Sequence, residues 1–423
     1  MSPCSIYVRA NYIPIRHDMD INGNKRIQAK SSPAAGAGGA NSVCFHWRAG
    51  RCNRYPCRYL HSELPAAAPD ESKRGLVWRK PTAPAASNWG KGRLRGKPPD
   101  RPCKHFLVGN CPYGEGCRFL HSWSVGDSFS LLTHLQGHQK VVTGIALPSG
   151  SDKMYSGSKD ESVRVWDCQT GQCVAVVNVG GEVGCMINEG PWIFTGVPNA
   201  VKAWNTQTAT DLSLSGPNGQ VYALVVGNGM LFAGIQDGRI LAWKFSAAGN
   251  CFEPVTSLLG HQLAVVSLVV GAMRLYSGSM DHTIRVWDLT SLQCIQTLSG
   301  HTSVVMSVLC WDQFLLSCSL DKTIKVWVST DTGQLEVTYT HNEGHGVLTL
   351  CGMHDAQAKP VLLSSCNDNT VRLYDLPSFS ERGKIFSKEE VRSIQVGPGG
   401  LFFTGEGTGE LKVWKWLTNE MPT

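Results

Sequence analysis

No stretch of this chain carries the roughly 18–20 consecutive apolar residues that a membrane helix needs, and the first 30 residues lack the apolar centre of a secretory signal. The expectation is a soluble protein of the cytosol or nucleus without a membrane partner. No glycine-rich phosphate loop, strained serine turn or paired-carboxylate motif stands out either. Their absence points away from an enzyme and a small-molecule substrate, and toward a binding protein. Cysteine is plentiful, 16 in 423 residues, but the nine beyond residue 123 show no metal-like spacing. They read as small buried hydrophobes in a reducing compartment.

Six of the other cysteines are spaced for metal. Cys44-x7-Cys52-x4-Cys57-x3-His61 is followed by Cys103-x7-Cys111-x5-Cys117-x3-His121, the same string with one extra residue in the middle gap. Three thiolates and one imidazole complete a tetrahedral structural zinc site, with no position left for a reactive water. Two zinc ions are therefore expected. Each unit of about 20 residues is too small to offset its chain entropy by burial, so metal binding supplies most of its folding free energy, roughly 10–16 kcal/mol. Scattered free thiols or disulfides do not account for two near-identical strings within 80 residues.

The second unit reads Cys103-Lys104-His105-Phe106-Leu107-Val108-Gly109-Asn110-Cys111-Pro112-Tyr113-Gly114-Glu115-Gly116-Cys117-Arg118-Phe119-Leu120-His121. These residues resemble the CCCH zinc fingers that bind single-stranded RNA. In that family the aromatics at the Tyr113 and Phe119 positions stack on unpaired bases, a contact worth about 1–3 kcal/mol per base. The resemblance makes Tyr113, Phe119, Phe106, Arg118 and Lys104 candidate nucleic-acid contacts, with Trp47, Tyr55 and Tyr59 in the first unit. The alternative for each aromatic is packing over the zinc ligands. The first unit's middle loop, Asn53-Arg54-Tyr55-Pro56, is shorter and has no glycine. The basic leaders and short fixed linker of the best-known RNA readers are also missing, since 41 residues separate His61 from Cys103.

Charge divides the chain. Residues 42–122 hold 15 Lys and Arg against 5 Asp and Glu, whereas residues 123–423 hold 19 against 26. A cationic segment interleaved with aromatics is the electrostatic footprint of nucleic-acid binding, although a solvated linker explains part of it. The reading is a disordered segment 1–41, a finger over 42–62, a basic Pro/Ala-rich tether over 63–101, a finger over 102–122 and a repeat domain over 128–418. The tether lets the fingers bind semi-independently.

In the repeat domain Trp166, Trp204, Trp243, Trp287, Trp327, Tyr374 and Trp414 recur at intervals of 38 to 47 residues. The clearest copy runs Gly137-His138, Ser156, Asp160 and Trp166-Asp167. It returns at Gly260-His261 with Ser277, Asp281 and Trp287, at Gly300-His301 with Ser317, Asp321 and Trp327, and at Gly344-His345 with Asp368 and Tyr374. These copies resemble WD40 repeats, which implies an all-β fold, a seven-bladed WD40 β-propeller preceded by two small CCCH fingers and disordered linkers. Alternation at Ile284, Val286 and Ile324, Val326 fits strands packed between blades. The last copy ends too soon after Trp414 to complete a blade, while Phe129–Leu135 is a strand without a partner. Pairing the two closes the ring and removes an open edge.

The resemblance assigns His138, Ser156, Asp160, Trp166, His261, Ser277, Asp281, Trp287, His301, Ser317, Asp321 and Trp327 to a buried hydrogen-bond network. A set that recurs in this way is scaffold and not a catalytic triad. The copies ending at Trp204 and Trp414 carry Pro198 and Thr408 in place of the aspartate, and Gly180-Gly181 stands where the second copy would show Gly-His. Together the chain resembles plant proteins that join CCCH fingers to a WD40 propeller. The resemblance implies an adaptor whose fingers grip RNA, or alternatively DNA, while the propeller gathers a protein assembly. A purely protein-contact role stays open, as does a ubiquitin-ligase receptor role, against which Gln169, Thr290 and Pro377 stand where such receptors carry arginine. Met19–Arg26 resembles the start of those plant proteins, so initiation at Met19 is an alternative to Met1.

Overall fold

The computed structural model describes residues 101–246, 249 and 251–417. Cys44, Cys52, Cys57 and His61, with Trp47, Tyr55 and Tyr59, lie outside the described residues, as do segment 1–41 and the tether up to residue 100.

Seven antiparallel sheets follow one another among the described residues, as the period of the Trp- or Tyr-bearing strands requires. Blade 1 comprises Val142–Ala146, Lys153–Ser158, Ser162–Asp167 and Cys173–Asn178. Blade 2 spans residues 185–214, blade 3 residues 221–258, blade 4 residues 265–299, blade 5 residues 305–342, blade 6 residues 347–386 and blade 7 residues 391–416. Within each, alternate residues turn toward the neighbouring blades: Ile284, Val286, Ile324 and Val326 are all buried. Hydroxyls stitch adjacent blades. Thr143 Oγ1 donates to Val183 O at 2.6 Å, Ser365 Oγ to Val391 O at 2.7 Å and Ser393 Oγ to Val142 O at 3.3 Å.

The ring closes through the strand that precedes blade 1. Phe129–Leu135 pairs antiparallel with Leu411–Trp416, from Phe129 opposite Trp416 to Leu135 opposite Leu411, and becomes the outer strand of blade 7. Phe129 is buried, its ring 6.2 Å from Phe402, 6.1 Å from Trp414 and 5.9 Å from Trp416. At the seam between blades 7 and 1 a Cβ on Gly405 would stand 2.8 Å from the Val142 Cβ, so glycine is what lets the sheets approach there.

Blade 6 has a fifth strand. Ser124–Val125, just past the second finger, pairs with Ile385 and Lys384 on the blade's outer edge. The sequence reading ends the finger at residue 122 and begins the propeller at residue 128; the five residues between include this strand, which starts three residues past the last finger ligand.

Candidate metal centre and nucleic-acid interface

The second finger is a chain of tight turns that bring distant ligands together. Cys103 opens the one-turn helix Lys104–Leu107, which ends at Gly109 with φ +77°, a conformation suited to glycine. Backbone bonds from Gly109 to Phe106 O and from Asn110 to His105 O, both 2.8 Å, reverse the chain toward Cys111. A 3-10 turn over Gly114–Gly116 then delivers Cys117, and the Cys103 N–H donates to Leu120 O at 2.8 Å, drawing His121 back to the start.

The donor atoms of Cys103, Cys111, Cys117 and His121 lie within 4.8 Å of one another, and the Cys103 and Cys111 sulfurs are 3.6 Å apart. A zinc ion with Zn–S bonds near 2.3 Å separates tetrahedral sulfurs by about 3.8 Å, so the spacing fits. His121 Nε2 is buried without a hydrogen-bond partner, as expected of a nitrogen whose lone pair is meant for a metal. Burial raises the Cys103 thiol, but the Phe106 backbone N–H and the Cys111 side chain outweigh that and bring it down to about 6. These residues would hold zinc as a structural ion.

Around this centre the candidate contacts divide. Tyr113 is 69% and Phe119 51% exposed, and Arg118 and Lys104 are exposed as well. Phe106 has another job: its ring stacks on the His121 imidazole at 4.9 Å and meets Trp123 at 5.8 Å. Of the second unit's three aromatics, two face solvent and one packs.

The polar sets of blades 1, 4 and 5 share one geometry. In blade 5 the Trp327 indole N–H donates to Ser317 Oγ at 2.8 Å, Ser317 Oγ lies 2.8 Å from His301 Nε2, and His301 Nδ1 lies 2.8 Å from Asp321 Oδ2. The corresponding distances are 2.8, 2.8 and 2.9 Å for Trp166, Ser156, His138 and Asp160, and 2.9, 2.7 and 2.8 Å for Trp287, Ser277, His261 and Asp281. One consistent chain of donors runs from indole to hydroxyl to neutral imidazole to carboxylate. Ser156, Ser277 and Ser317 have no exposed surface, so the sets brace the blades from within.

Blade 6 departs from the copy read in its sequence. His345 is largely exposed, with Nε2 3.7 Å from Asp368 Oδ2. Glu343, not His345, stands four residues before the strand Val347–His354, the offset that His138, His261 and His301 keep before theirs, so it takes the histidine's place. Glu343 Oε1 accepts from Tyr374 Oη at 2.8 Å and from Ser364 Oγ at 3.3 Å, and Arg372 reaches Glu343 Oε2 at 3.3 Å and Asp368 Oδ2 at 2.7 Å. The Tyr374 O–H therefore donates directly to a carboxylate, where the indole N–H of blades 1, 4 and 5 donates to a serine. In blade 7 the Trp414 N–H donates to Thr404 Oγ1 at 3.0 Å, and the next position inward is a fully buried ion pair of Lys412 with Glu406. Val179 fills the histidine's place in blade 2, donating its N–H to Glu161 O as Glu343 does to Lys322 O. Neither Glu343 nor Lys412 was singled out from the sequence, because both replace a pattern and do not repeat it.

A Cys3His centre on a blade of a propeller defines a zinc-finger protein built on WD repeats. Residues 101–122 match the CCCH-type zinc finger family, and residues 129–167, 252–288, 292–328 and 333–375 match the WD domain, G-beta repeat. Each of the four repeat matches runs from the outer strand of one blade through the first three strands of the next, ending in blades 1, 4, 5 and 6. Zinc finger CCCH domain-containing protein 17 of Oryza sativa subsp. japonica is 66% identical over 95% of this chain and 98% of its own length. Proteins 48 and 63 of the same description from Arabidopsis thaliana are 61% and 58% identical over 96% and 95% of this chain, and 99% and 98% of their own. The chain belongs to this plant family of zinc finger CCCH domain-containing proteins.

Proposed function

We propose that the protein is a nucleic-acid-binding adaptor and not an enzyme, acting in the cytosol or nucleus. Its fingers, with one zinc ion each, grip single-stranded RNA, while the propeller offers its rims to a protein assembly. The observation that carries this reading is the outward display of Tyr113 and Phe119 beside Arg118 and Lys104 on a cross-braced metal core. Two exposed rings on so small a core are costly unless something covers them, and an unpaired base is a flat apolar partner that any ring can accept.

The test is titration of the full chain with single-stranded RNA at several salt concentrations, alongside metal analysis expecting two zinc ions. Tyr113→Leu and Phe119→Leu should each lose about 1–3 kcal/mol of affinity with the salt slope unchanged. Arg118→Ala should flatten the slope by about one unit. Leucine variants that keep zinc and bind RNA as the parent does would overturn base stacking, and tighter binding of duplex DNA would replace RNA as the ligand.

A further inference from the structure

Trp123 is two residues past the last zinc ligand and touches both halves of the described chain. On one side its ring lies 5.8 Å from Phe106, which stacks on His121. On the other it covers the buried charge of blade 7: Lys412 Nζ is 4.2 Å and Lys388 Nζ 5.8 Å from the indole, and His134 meets it edge-on at 5.2 Å. The backbone is held too, since the Phe386 N–H donates to Trp123 O at 2.8 Å and Ser124–Val125 continues as the fifth strand of blade 6. No free linker separates the finger from the ring.

Lys412 makes this contact consequential. It has no exposed surface, and the groups around it are Glu406, also fully buried, Glu410 at 3.8 Å, and Lys388, which pairs with Glu410 at 3.0 Å. His134 Nδ1 lies 2.8 Å from the other Glu410 oxygen. A buried ammonium is tolerated only with full compensation, and the negative face of an indole supplies part of it while excluding water. Burial and the neighbouring Lys388 bring Lys412 down to about 7.

We propose that the zinc state of the second finger sets the stability of the seam between blades 6 and 7, with Trp123 as the coupling residue. Zinc fixes His121, His121 seats Phe106, and Phe106 holds Trp123 over Lys412. Loss of the metal frees the indole and uncovers the cluster beside the strand that closes the ring. Linkage makes the effect reciprocal: the folded propeller strengthens zinc binding by this finger.

The full-length chain with Cys117→Ser, which disables the second site, is compared with Cys57→Ser in the first unit. Cys117→Ser should lower the propeller's melting temperature by about 2–8 °C. It should also speed amide exchange in Leu411–Trp416 without changing Thr283–Asp288 of blade 4, whereas Cys57→Ser should change neither. On a Trp123→Ala background, Cys117→Ser should add nothing further, and Trp123→Phe should restore part of the coupling. Parent-like melting and exchange in Cys117→Ser overturn the proposal. Additive effects of Cys117→Ser and Trp123→Ala would refute Trp123 as the link. Should Trp123→Ala fail to fold, the two cysteine variants decide alone.

Discussion

Replacing Phe129 with alanine tests ring closure at a single side chain. Phe129 is 3% exposed and packs against three aromatic rings of blade 7, all within 6.2 Å between centroids. Truncating a buried phenylalanine costs about 3–5 kcal/mol in lost transfer energy and residual cavity. With each kcal/mol worth about 2–4 °C in a domain of this order of size, the melting temperature should fall by about 6–20 °C. Leu132 provides the control, since it lies on the same strand but is 54% exposed. Leu132→Ala should change stability by no more than about 0.5 kcal/mol. Thermal denaturation followed by circular dichroism reads both, and truncations sharpen the comparison. A chain starting at residue 128 keeps the outer strand of blade 7. One starting at residue 137 leaves Leu411–Trp416 as an open, tryptophan-bearing edge and should aggregate. Equal melting of Phe129→Ala and Leu132→Ala, or of the two truncations, would refute the closure.

Ser317→Ala leaves the Trp327 N–H and His301 Nε2 without their shared partner inside a sealed blade, and should cost about 2–4 kcal/mol in denaturant titration. Acid should weaken the propeller in two stages. Burial lowers His138 below its ordinary 6.5, so the unfolded chain binds the extra proton and stability falls as pH drops below 6.5. Burial also tends to raise Asp160, but its bonds from Ser162, Gln139 and His138 outweigh this and hold it at about 2 against an ordinary 3.8. Its contribution is complete above 3.8 and lost as pH falls toward 2. Denaturation midpoints that stay level from pH 7.5 to pH 5 would contradict a neutral buried His138.

Much of this was legible because the signals are local and repeated. A Cys3His string has few geometric solutions, and an aromatic recurring every 38 to 47 residues, tryptophan in six copies and Tyr374 in the other, sets the blade count even where the rest of a copy has eroded. Ring closure could be read because an incomplete last blade and a partnerless strand before the first are complementary. Glu343 was missed for the opposite reason. The visible Gly-His lies two residues out of register, while a carboxylate and a tyrosine rebuilt the hydrogen bonds with different letters. For Phe106, as for Tyr113 and Phe119, both base contact and packing over the zinc ligands stayed open, because spacing reports proximity to the metal and not which way a ring faces. The seat of Trp123 on Lys412 joins residues from opposite ends of the domain, and no sequence window contains both.

The pairing of the first strand with the last also has a consequence in time. His134 and Glu410, which face each other across the closing sheet, are 276 residues apart. At synthesis rates of about 5–20 residues per second, roughly 14–55 s pass between the emergence of one and of the other. Throughout that interval Phe129 and its strand have nowhere to dock, and blade 1 has no neighbour on one flank. Until blade 7 is complete, a nascent chain of this protein therefore remains an open arc with an apolar leading edge.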